Sequence, residues 1–352
     1  MRPKLILFPK DSEDVKSLVK WVSQNRERYT GLSITARCAG TDMSGGAIGE
    51  SIILDFTRYM NKLIGGPLPL DKKSEWEIAV QPGMFYRDFE KITLAKGLIL
   101  PCFTASKTIN AMGGMFGNNS AGERTLKYGK MEDFILSAKV VFADGNEYIV
   151  KPLNKVELDK KITQNDFEGN VYKNIFNLID KNEDEIREAK PNVHKNSAGY
   201  YIWNVADPER VKRAEGLFNL NKLLVGSQGT LCIVTEMTLK ILPDPKYTKL
   251  VVVFLRDVGL LPTLVNKILE FKPQSLESYD DKTFMLVLKY IKSFAQLLGF
   301  RNFFKLIWSF WPEAFMTLRH GLPKLVLLIE LTGDSQIDVN NQAKKLLEVL
   351  KT

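Results

Sequence analysis

Apolar residues recur along this chain with two periods, and the changes between them mark its elements. Residues 5–8 are a short apolar run that reads as a strand. Asp11 or Ser12 then stands where a helix would be capped, and Val15, Leu18, Val19 and Val22 give that helix one apolar face. Runs at 32–36 and 51–56 read as strands on either side of a glycine-rich loop. The result is a β-α-β-loop-β unit over residues 1–66, with Gly65-Gly66-Pro67 as its boundary. A second unit, 67–245, holds a strand from Glu77, a helix over 85–96 and a short strand at 98–101. It continues with a hairpin over 134–150 that turns at Asp144-Gly145 and a long strand over 230–242. After Pro243 and Pro245 a third unit, 246–352, opens with a strand at 249–255 and carries another at 324–331. A helix over 338–350 completes it, and the fold class is α+β.

Composition narrows the possibilities without deciding among them. The 352 residues are too many for one small core, and 45% hydrophobic with 26% charged residues is ordinary for a globular protein. No apolar run approaches the ~18 residues that span a bilayer, and the apolar start is short for a secretory signal. A cytoplasmic location is the default. Three separated cysteines, Cys38, Cys102 and Cys232, argue against an iron–sulfur cluster or zinc in this chain and read as packing residues. No metal site is expected. The net charge of +8 suits an anionic substrate, an acidic redox partner or a membrane surface. Its dispersed Lys and Arg residues fit nucleic acid poorly.

Three loops carry the candidate chemistry. Residues 37–46 read Arg-Cys-Ala-Gly-Thr-Asp-Met-Ser-Gly-Gly, residues 108–122 hold Gly113-Gly114 and Asn118-Asn119-Ser120, and Gly226-Ser-Gln-Gly-Thr follows much later. Glycine lets backbone amides approach and face phosphate oxygens, so three such loops suggest a cradle for a long anionic cofactor. Asp42 is out of place beside a diphosphate unless its side chain caps the loop or turns outward.

These residues resemble the vanillyl-alcohol-oxidase type of FAD-binding flavoproteins, in the branch of D-lactate dehydrogenase and the glycolate oxidase flavin subunit. The matches are residues 37–46, 101–129, Asp144-Gly145 and 226–236, in the family's order. The resemblance implies a PCMH-type FAD-binding domain over 1–245, built of two α/β subdomains, and a partial α+β cap domain over 246–352. It implies that Arg37, Cys38, Ala39, Gly40, Thr41, Asp42, Met43, Ser44, Gly45 and Gly46 surround the diphosphate. Pro101, Thr104, Ser106 and Thr108 would approach the flavin and ribityl chain, with Gly113, Gly114, Asn118 and Ser120 against the ring and diphosphate. Gly226, Gly229 and Ile233 would meet the adenine or flavin edge. Gln228 and Cys232 stand where the family usually has Glu and Gly. Neither Cys38 nor Ala39 is histidine, so FAD would be held noncovalently.

The implied reaction is oxidation of a 2-hydroxy acid, D-lactate or glycolate in type, with hydride transfer to flavin N5. Its alternatives are an oxidase for another alcohol or a sugar and a catalytically inactive flavin-binding subunit. Such chemistry needs a cation for the carboxylate and a base for the hydroxyl proton. Lys195 is the candidate cation, against an ordinary solvated lysine. Tyr200 or Tyr201 would line the pocket, and His194 is a weaker candidate base. The family's His-x-Gly-Asp-Gly-Asn-x-His motif is missing, and the resemblance implies a chain truncated at both ends with an incomplete active site. Electrons would pass to a quinone, a cytochrome or an iron–sulfur partner. Phe303, Trp308 and Trp311 lie in an aromatic, basic stretch that would form an exposed patch, either for peripheral contact with the inner membrane face or for covering helices.

Overall fold

The computed structural model describes residues 1–70, 74–193, 195, 196, 199–290, 293, 296 and 322–351. The chain divides into two units, Met1–Asp244 and Pro245–Thr352.

The first unit contains two sheets. Strands β1 (Leu5–Leu7), β2 (Ile34–Arg37) and β3 (Ile52–Asp55) make a parallel sheet in the order β1-β3-β2. Helix α1 (Ser12–Asn25) connects β1 to β2, and Asp11 caps it by accepting the amides of Glu13 and Asp14. Its buried Val15 and Val19 pack on Leu54, Phe56 and Met60. Val141 and Ile233 of the second sheet join that same cluster, so apolar contact ties the two sheets together.

The second sheet runs β4 (Leu63–Pro69), β5 (Trp76–Val80), β9 (Ile233–Pro243), β7 (Ile135–Val141) and β8 (Glu147–Val150), with β6 (Leu98–Ile99) also on β9. Its pairings are antiparallel. Strand β9 is central, and its alternate residues Ile233, Thr235, Met237, Leu239 and Ile241 are buried. The hairpin β7–β8 turns through Asp144 and Gly145, where Asp144 accepts the Asn146 amide and Gly145 has φ +75°.

Two readings of the pattern change. Gly65-Gly66-Pro67 is no boundary but lies inside β4. An edge strand tolerates these residues because one side needs no ladder partner, and the register with β5 shifts between Ile64 and Leu68. Between β8 and β9, where no element was read, helices Lys155–Ile162, Phe167–Lys181, Glu183–Ala189 and Pro208–Lys212 form. Leu158, Tyr172, Ile179 and Val211 from this segment are buried in the main core.

In the second unit β10 (Tyr247–Leu255), β11 (Ser275–Asp280) and β12 (Leu325–Gly333) form an antiparallel sheet in the order β10-β12-β11. Helices Leu261–Leu269 and Gln336–Lys351 bring Ile268, Ala343 and Leu346 against Val251, Leu327, Ile329 and Leu331. Phe303, Trp308 and Trp311 lie outside the described residues. Among the described residues no helix is long and apolar enough to cross a membrane.

Candidate functional site

The three glycine-rich stretches converge, and the second is not a loop throughout: Met112–Gly117, with Gly113 and Gly114, is a short helix. An open cleft, about 1010 Å³ when the solvent in its mouth is counted, lies where the β2–β3 loop faces residues 104–120 and the start of β9. Its apolar wall is Ala36, Phe56, Met115, Phe116, Ile233 and Val234. Cys38, Ala39, Gly40, Thr41, Asp42, Gly46, Thr104, Ser106, Gly113, Gly114, Asn118, Ser120, Gly229 and Ile233 all line it.

The other residues singled out for a cofactor stand off this lining, for local reasons. Arg37 donates from Nη1 to the Ala47 carbonyl at 3.0 Å and packs against Gly40, bracing the loop. Gly45 turns the chain at φ +83°, while the Met43 side chain is fully exposed. Ser44 donates to Asp42, and the Thr108 carbonyl accepts from Arg87 at 2.8 Å. Pro101 is buried, and Gly226 lines a second, adjoining cavity.

Several groups on the cleft wall suit a bound cofactor. Asn110 donates from Nδ2 to the Thr104 hydroxyl at 2.9 Å, and Thr104 bonds Ser106 at 2.8 Å. The Asn110 Oδ1 and the Ser227 Oγ are buried with no partner among the described residues, although buried polar atoms are nearly always satisfied. Gly114 faces open space: a Cβ there would meet nothing within 4 Å. Burial pushes the Cys38 and Cys232 thiols up to about 12, so both are neutral wall groups. Orphaned polar atoms, an open glycine and an apolar wall for flat rings together fit a flavin dinucleotide. Neither Asn110 nor Ser227 was singled out from sequence, although both fall in or beside the glycine-rich stretches. Pro82, packed against Gly113, was likewise missed.

The candidate catalytic residues do not gather in this cleft. Tyr200 lines the second cavity, of about 650 Å³, which shares Asn118, Ser227 and Gln228 with the first. Its hydroxyl bonds Thr230 at 2.7 Å, and its backbone takes φ +58°, an uncommon conformation for a bulky residue. Tyr201, buried beside it, lies under the Lys130 ammonium at 3.9 Å, and Lys130 pairs with buried Glu132 at 3.1 Å. Lys195 is exposed and lines neither cavity, and His194 lies outside the described residues. Among the described residues no group of three or more His, Cys, Asp or Glu is placed to hold a metal.

Comparison with known proteins adds to this geometry. Residues 3–150 match the FAD binding domain family. The chain is 25% identical to D-2-hydroxyglutarate dehydrogenase of Pseudomonas putida, over 99% of this chain and 32% of that protein. It is 25% identical to glycolate oxidase subunit GlcD of Bacillus subtilis, over 82% of this chain and 48% of the other. It is 27% identical to the cytochrome-type D-lactate dehydrogenase 1 of Saccharomyces cerevisiae mitochondria, over 72% of this chain and 32% of the other. The chain thus spans less than half the length of each of these relatives. Among solved structures, alkyldihydroxyacetonephosphate synthase shares the fold with a TM-score of 0.60 at 18% identity, over 98% of this chain and 50% of that one. Over residues 3–150 the chain is therefore similar to FAD binding domains, and its fold is the one seen in alkyldihydroxyacetonephosphate synthase.

Proposed function

We propose that the cleft holds FAD noncovalently and that the protein serves the oxidation of a 2-hydroxy acid. The observation that carries this reading is the convergence of three loops, distant in sequence, on one cleft with orphaned polar atoms and an apolar wall. The similarity to dehydrogenases and an oxidase of small hydroxy acids supports the substrate class. Bound FAD would supply the hydride acceptor. This chain's residues would bind and orient it. Asn110 Oδ1 would accept a hydrogen bond, Ser227 Oγ would donate or accept one, and Phe56, Ile233 and Met115 would exclude water from the flat rings. With Cys38 and Ala39 in the first loop, no histidine is there to form a covalent link. Electrons would pass to a quinone, cytochrome or iron–sulfur partner, in a cytoplasmic setting.

A second reading, a flavin-binding subunit without turnover of its own, draws on one observation. Among the described residues no Lys, Arg or His lines the cleft, so the cation and base that a hydroxy acid needs are not among its described wall residues. Anaerobic mixing of FAD-loaded protein with D-lactate, glycolate or D-2-hydroxyglutarate separates the two. Bleaching of the flavin absorbance supports turnover, and an unchanged spectrum with all three favours the subunit.

The binding reading is tested by Gly114→Leu. The new side chain projects into open cleft space and leaves packing intact, so the variant should melt with the wild type yet bind FAD at least about tenfold more weakly. Unimpaired FAD uptake by a folded Gly114→Leu protein would remove the cofactor from this cleft.

A further inference from the structure

Asp42 stands on the cleft wall with its carboxylate already satisfied. Its Oδ2 accepts the Ser44 hydroxyl at 2.7 Å and the Gly46 amide at 2.9 Å. The Ser44 hydrogen bond, and after it the Gly46 amide, outweigh partial burial and hold this carboxyl below the usual carboxylate range. It is therefore an anion at neutral pH. Among the described residues no Lys, Arg or His lines the cleft to offset it: Arg37 packs behind Gly40 and donates to the Ala47 carbonyl, and the cysteines there are neutral. From the third loop the Gln228 Oε1 arrives at the same place: a Cβ on Gly46 would meet it at 3.1 Å and the Asp42 Oδ2 at 3.4 Å. Two donors the loop would offer a phosphate group, the Ser44 hydroxyl and the Gly46 amide, are thus turned to the chain's own carboxylate, with a second oxygen acceptor beside it.

We propose that Asp42 is an internal competitor for the anionic part of the ligand: its carboxylate fills the anion position of the 37–46 loop, and a diphosphate takes that position only when Asp42 turns away. Asp42 thereby sets the affinity of the cleft for phosphate-bearing ligands and leaves its affinity for uncharged ones untouched. For FAD this rests on the binding reading above; for a bare diphosphate it does not. Like charges a few ångströms apart at a partly desolvated surface repel strongly enough to change a dissociation constant about tenfold or more.

The test compares wild type with Asp42→Asn, which keeps an oxygen acceptor for the Gly46 amide but removes the charge. FAD is titrated by flavin fluorescence, inorganic pyrophosphate by calorimetry, and riboflavin serves as the phosphate-free control. The proposal expects Asp42→Asn, folded at the titration temperature, to bind FAD and pyrophosphate at least about tenfold more tightly, with riboflavin affinity unchanged. Asp42→Ser, which also keeps a short acceptor without charge, should agree with it if Asn disturbs the loop. Unchanged or weaker binding of both phosphate ligands by a folded variant overturns the proposal. So does a magnesium-dependent gain in wild-type affinity that vanishes in Asp42→Asn, because Asp42 would then recruit a cation instead of competing. If pyrophosphate tightens while neither protein takes up FAD, the competitor role stands and the flavin reading falls.

Discussion

Single residues near the cleft act mainly through charges and polar atoms that burial leaves few ways to satisfy. Glu132, with its side chain 3% exposed, pairs with Lys130 and accepts from Asn204, while its amide donates to Asn119. Removing one partner of a buried pair strands the other. Glu132→Ala should cost about 3–5 kcal/mol in urea unfolding, and Lys130→Met with Glu132→Leu should recover much of it. A loss below about 1 kcal/mol for the single change would mean that water reaches the pair. Asp42 gives a pH dependence of definite sign. Its folded pKa lies below the unfolded one, so its contribution is present above the ordinary carboxylate pKa. It is lost as the pH falls through the lower folded value. Acid melting of wild type, but not of Asp42→Asn, should include that loss, and identical acid limbs would refute it. The first loop was legible in sequence because glycine, threonine and serine declare themselves locally. Asn110 and Ser227 were not, since only the folded chain shows that their polar atoms are buried and unpaired.

Elements follow the sequence wherever one face is buried with a clean period. Strand β9 alternates buried and half-buried residues along its length and pairs on both sides, which is why its pattern was plain. Leu239, fully buried at the centre of that sheet, should lose about 2–5 kcal/mol on change to alanine, read as a fall in urea midpoint. A near-neutral Leu239→Ala would place β9 at an edge. Residues 65–67 read as a boundary because Gly65, Gly66 and Pro67 are breakers in most settings, and only the edge position of β4 reverses that reading. Strand β11 is Ser-Leu-Glu-Ser-Tyr-Asp, an edge strand largely open to solvent, so its sequence carries no apolar alternation to recognise. The helices between β8 and β9 escaped for a different reason: they bury few residues each, such as Leu158 in the first of them.

At the scale of the whole chain, the first unit contains two of the three sheets and all three glycine-rich stretches, and the second has its own core around Ile329 and Leu346. That places every residue of the proposed cofactor cleft within Met1–Asp244. The stretches that resemble a flavin site converge in the fold, but the candidate catalytic groups do not gather with them: Lys195 is a solvent-exposed lysine, and the Tyr200 hydroxyl is engaged with Thr230. Sequence shows which residue types are present, whereas reach to a reacting atom is decided by tertiary structure. The central claim is noncovalent FAD in this cleft, and the most direct measurement is acid precipitation of protein reconstituted with FAD, with flavin measured in supernatant and pellet. The account predicts that FAD appears intact in the supernatant in a ratio near one per chain, and that the pellet is colourless. Flavin remaining with the pellet, or no uptake of added FAD by folded protein, would contradict it.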